Sequence, residues 1–65
     1  INVYNNGMST ANMNQLAIDV LAKVAAGVWG NSGMLSILIG NNAPLTGAGL
    51  AAATTLTVTH LWTVN

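Results

Sequence analysis

The stretch Thr54–Asn65, T-T-L-T-V-T-H-L-W-T-V-N, decides the architecture because it reads in two ways. Taken alone it is rich in β-branched residues, and Leu56, Val58, His60, Trp62 and Val64 alternate with residues that are mostly Thr, the period of a strand. Joined by a peptide bond from Asn65 to Ile1, it changes character. Val58, Leu61, Trp62, Asn65, Ile1 and Tyr4 then fall at i, i+3, i+4, i+7, i+8 and i+11, a helical stripe with Asn65 as its polar exception. Asn5-Asn6-Gly7, turn chemistry suited to positive φ, would close that helix.

Working outward, Thr10–Gly27 is the clearest local signal. Met13, Leu16, Ala17, Val20, Leu21, Val24 and Val28 recur at helical spacing and define one buried face. Ser9 or Thr10 offers an N-cap oxygen, and Gly27 stands where a helix end turns left-handed. Asp19 and Lys23, four apart in the favourable order, are expected on the opposite, exposed face as a surface pair. They are also the only Asp, Glu, Lys or Arg in the chain.

Between these two stretches lie shorter signals. Gly27, Gly30 and Gly33 break the first helix, and Asn31 or Ser32 can cap another. Met34, Leu35, Ile37, Leu38 and Ile39 are apolar nearly all round, which predicts a short buried helix ending at Gly40. Asn41-Asn42-Ala43-Pro44 connects it to a third predicted helix over Thr46 to Thr54, whose small-xxx-small rows, Ala43, Gly47, Ala51 and Ala48, Ala52, allow close approach or simply mark an Ala-rich core helix.

The 65 residues make one domain, residues 1–65, marginal in core size without a staple. No cysteine exists for a disulfide, and a lone His60 with a lone Asp19 cannot form a structural zinc site, so no metal and no cofactor is expected. With zero formal net charge and 3% charged residues, the basic patch that nucleic-acid binding needs is missing. The 52% hydrophobic content comes chiefly from Ala, Val, Leu and Ile, which fits a membrane-compatible or self-associating chain. No window reaches the run of about 20 apolar residues that a spanning helix requires. The first residue is Ile rather than Met, and the expectation is that a leader, a signal or an initiator Met is removed before it.

Enzyme chemistry finds no support. Ser9, Ser32 or Ser36 with His60 and Asp19 can be written down as a triad, but Asp19 faces Lys23 and no nucleophile elbow surrounds any of the serines. Gly40–Gly49 lacks the Lys of a phosphate loop. His60 reads as a satisfied residue on a partly buried element.

The run G-M-S-T-A-N-M-N-Q-L-A-I-D-V-L-A-K-V-A-A-G-V-W-G-N-S-G-M-L-S-I-L-I-G from Gly7, followed by A-P-L-T-G-A-G-L-A-A-A from Ala43, resembles the circular, head-to-tail cyclised bacteriocins. The weakly charged gassericin and acidocin subgroup is the nearest. The resemblance implies an all-α, saposin-like, compact bundle of four to five short helices, closed by an Asn65–Ile1 peptide bond. It further implies a secreted antibacterial peptide that permeabilises bacterial membranes. The chain departs from the family in joining Asn65 to Ile1 rather than two hydrophobic residues, and in lacking a cationic face. Closing a ring of this length removes on the order of 4 kcal/mol of denatured-state freedom in the chain-entropy model.

The expectation is therefore insertion through apolar surface, with the lipid bilayer of target bacteria as partner and Trp29, Met34, Leu35, Ile37, Leu38, Ile39 and Trp62 as contacting residues. Self-association in the membrane is compatible with this. The alternatives are a self-assembling structural subunit, such as a pilus or virion coat protein, and a small subunit of a membrane complex.

Overall fold

The computed structural model describes residues 1–65 and has two helices, α1 (Thr10–Ala25) and α2 (Gly47–His60), with two short strands, β1 (Met34–Leu35) and β2 (Thr63–Val64). α1 follows the sequence pattern. The Ser9 side chain accepts from the Asn12 amide at 3.2 Å, Met13, Ala17, Val20 and Val24 are buried, and Gly27 at φ 76° turns the chain out of the helix. Because the helix stops at Ala25, Val28 leaves the stripe and is 63% exposed.

α2 runs six residues beyond the Thr54 end that the sequence suggests, to His60. Core packing of Ala52, Ala53 and Leu56 holds it there, and the threonines are accommodated. Thr54, Thr55 and Thr57 donate their hydroxyls to the carbonyls of Leu50, Ala51 and Ala53 one turn back, which settles the side chains inside the helix despite their branching. Leu61, held at φ 59°, ends the helix, and both its amide and that of Trp62 bond to the Leu56 carbonyl.

The two helices meet where Gly49 lies against Asn14. A β-carbon on Gly49 would collide with the Asn14 backbone, so the close approach rests on this glycine, whereas Gly47 faces open space. Beside it the Asn14 amide clamps the start of α2: its Oδ1 accepts from the Thr46 amide at 2.9 Å and its Nδ2 donates to the Thr46 hydroxyl at 3.0 Å.

β1 and β2 pair in parallel, Met34 with Thr63 and Leu35 with Val64, and α2 is the crossover between them, as a parallel pair requires. On the other edge of β1, Asn2 forms a parallel bridge to Ser36, fixed by Ser36 N–H to Ile1 O at 2.8 Å and Val3 N–H to Ser36 O at 3.0 Å. Leu35 and Ile37 point alternately with Ser36 and join one core with Met13, Ala17, Val20, Val24, Leu56 and Trp62.

This architecture corrects the expected all-α bundle of four to five helices. Met34 to Ile39 is not a helix, since Met34 and Leu35 form β1 and the backbone of Ile37 and Leu38 donates to the Asn65 carbonyl at 2.7 and 2.8 Å. The helix across an Asn65–Ile1 join does not form either, because residues 63 to 65 spend their backbone groups on β1. Ile1 and Asn65 bond to opposite edges of the same central segment, roughly two strand spacings or about 10 Å apart, and the Ile1 amino group donates to the Met34 carbonyl at 2.7 Å.

Candidate functional site

The outward row of α2, Leu50, Ala53, Thr54, Thr57 and Val58, recurs at i, i+3, i+4, i+7 and i+8 and forms one wall of a cleft of about 560 Å³. The connector after β1 forms the other wall with Leu38, Asn42, Ala43, Pro44 and Leu45, and Val64 of β2 completes it. Leu45 and Ala53 are buried at its floor. Its rim is open: Leu38 is 47%, Leu50 54% and Val58 72% exposed, and Ile39, next to Leu38, is 56% exposed.

The cleft has the volume of a small-ligand site, but its lining is mostly apolar. No charged side chain lines it. The Thr54 and Thr57 hydroxyl protons are spent on Leu50 and Ala53 carbonyls, and the Asn42 amide is spent on the Val3 and Ile37 carbonyls at 2.9 and 3.0 Å. A polar ligand would therefore lose hydrogen bonds to water and find few donors in exchange. The two formal charges lie on the exposed side of α1, where Asp19 accepts from the Gln15 side chain at 2.8 Å.

Of the surface residues expected from sequence, Trp29, Met34, Leu38 and Ile39 are exposed, and only Leu38 lines the cleft. Leu35 and Ile37 are wholly buried and Trp62 is nearly so, whereas the sequence reading expects all three to contact the bilayer. Leu35 of β1 and Ile37 just beyond it belong to the core, and the Trp62 indole donates to the Gly30 carbonyl at 2.9 Å. Leu50, Val58 and Val64 were missed. The helical row that finds the first two is present in the sequence, but only once Thr54 to His60 is read as helix.

The nominal catalytic groups are dispersed among separate bonds. Ser9 caps α1, the Ser36 hydroxyl donates to Asn65 Oδ1 at 2.7 Å, and His60 Nδ1 lies 3.1 Å from Asn31 Oδ1. No group of His, Asp or Glu gathers with metal-ligand geometry. No helix is long and apolar enough to cross a membrane.

No family model matches the chain, and neither a curated protein nor a solved structure matches it. Fold and site together define a small domain of two helices and a parallel strand pair, carrying one uncharged apolar cleft.

Proposed function

We propose that the protein is a secreted antibacterial peptide that seats its apolar cleft face on bacterial membranes and permeabilises them. The observation that carries this reading is the exposed rim of Leu38, Leu50 and Val58, with exposed Ile39 next to Leu38, around a cleft with no charge and few unspent hydrogen-bond donors. Each Å² of apolar surface removed from water contributes about 25 cal/mol, and an uncharged rim incurs no ionic desolvation cost on entering the interface. α2, with 14 residues, is about 21 Å long, short of the roughly 30 Å hydrocarbon core, so contact begins in the interfacial plane rather than as a spanning helix. The pattern shared with the weakly charged bacteriocins supports the same activity.

Dye-filled vesicles test it. With zero formal net charge, the protein should release dye from zwitterionic vesicles nearly as well as from anionic ones, with little change as salt is raised. Leu38→Asp or Val58→Asp should abolish release while leaving the fold intact. A requirement for anionic lipid would sink the neutral mechanism. Absence of leakage together with concentration-dependent oligomers in sedimentation would favour the self-assembling subunit instead.

A further inference from the structure

Asn6-Gly7 is the one Asn-Gly pair in the chain, and it lies in a loop that the cleft does not use. Asn-Gly is the dipeptide most prone to spontaneous loss of ammonia, because glycine leaves its own amide nitrogen unshielded as a nucleophile. In this fold three bonds oppose that reaction. The Gly7 amide donates to Asn41 Oδ1 at 2.8 Å, the Asn6 side-chain Nδ2 donates to the Val3 carbonyl at 2.9 Å, and the Asn6 amide donates to Asn42 Oδ1 at 3.2 Å. The two asparagine turns are thus interlocked, and Asn5 Oδ1 returns the contact by accepting from the Asn41 amide at 3.2 Å.

We propose that Asn6 is a latent deamidation site and that Asn41 is the residue that holds it closed. The chemistry needs no partner other than water. The Gly7 nitrogen loses its proton and attacks Asn6 Cγ, a five-membered succinimide forms, and Nδ2 departs as ammonia carrying the proton balance. Water then opens either ring carbonyl, leaving aspartate or isoaspartate at position 6. A Gly7 N–H donated to Asn41 is a poorer acid and is not free to approach Cγ, and the departing amide is anchored on Val3.

The product differs from the reactant in two ways that the fold feels. A carboxylate at position 6 cannot donate to the Val3 carbonyl, so acceptor faces acceptor where a bond stood. The formal net charge also moves from zero to minus one. Both effects weaken the Asn5–Gly7 turn that follows the Asn2–Ser36 bridge, making the reaction a one-way loosening of the amino-terminal edge.

The test incubates the whole protein, its Asn41→Ala and Asn41→Asp variants, and the free peptide V-Y-N-N-G-M-S in mildly alkaline buffer, and follows isoaspartate by enzymatic methylation and peptide mapping. The native protein should react more slowly than the peptide, and only at Asn6. Asn41→Ala should accelerate it about tenfold, the equivalent of one hydrogen bond of roughly 1.4 kcal/mol. Asn41→Asp, whose carboxylate still accepts from Gly7, should stay slow. Amide exchange in the unmutated protein provides a second reading that does not depend on a variant folding: the slowing of deamidation should match the protection of the Gly7 amide. An unprotected Gly7 amide, reaction at the peptide's rate, or isoaspartate arising first at Asn31 would each overturn the proposal.

Discussion

The indole of Trp62 lies against Gly33 so closely that a β-carbon on Gly33 would stand 2.5 Å from ring atom Cζ2. The ring cannot slide away, because its Nε1 is bonded to the Gly30 carbonyl and its body is part of the core. Gly33→Ala should therefore cost about 1–3 kcal/mol, the usual range for overpacking. Urea denaturation measures it, and loss of near-ultraviolet circular dichroism would report the displaced ring. A variant as stable as the parent would mean that the indole relaxes freely.

Asn42 joins three parts of the chain. Its Oδ1 accepts from the amides of Asn6 and Met8 at 3.2 and 3.0 Å, while its Nδ2 donates to the carbonyls of Val3 and Ile37. Asn42→Ala orphans partly buried groups on both sides, and about 1–3 kcal/mol of stability should be lost. Hydrogen exchange at the Met8 amide should quicken in the same variant, localising the effect.

Leu61 is a branched residue held at φ 59°, where a β-carbon crowds the following carbonyl, and it is 67% exposed. Leu61→Gly removes that strain and forfeits little burial, at the expense of more freedom in the unfolded chain. The expected net gain is about 0.5–1 kcal/mol, visible as a higher melting temperature. A loss of stability would show that Leu61 packs on something in solution, a second copy being the first suspect.

Two leucines of α2 separate folding from activity. Leu56 is fully buried between the helices and the strand pair, so Leu56→Ala should cost about 2–5 kcal/mol. Leu50 stands on the cleft rim, and Leu50→Ala should change stability by less than about 1 kcal/mol while reducing vesicle leakage. If both variants leaked dye like the parent, the cleft would not be the membrane-facing surface.

Replacing Asp19 and Lys23 together by Gln should alter stability by no more than about 0.5 kcal/mol, since both are exposed on α1. Thermal unfolding of the double variant checks it. Leakage by this variant should also persist, as the cleft lies on α2 and the connector after β1.

What the sequence determined by itself is α1, along with the neutral surface and the turns at Asn5–Gly7 and Gly27. A helix of 16 residues with a cap, an apolar stripe and a terminating glycine is specified by contacts within one or two turns, so every signal for it is local. Tertiary structure decided the rest. A run such as Met34 to Ile39 satisfies helix and strand equally, and a strand of two residues exists only because another part of the chain supplies hydrogen bonds. Here those partners are residues 1 to 3 on one edge and 63 to 65 on the other, too distant in sequence for any periodicity to reveal. The alternating Thr54–Asn65 stretch was divided by the same physics. Up to His60 the chain is helical, with Thr54, Thr55 and Thr57 bonded one turn back, and beyond Leu61 the backbone finds partners on β1.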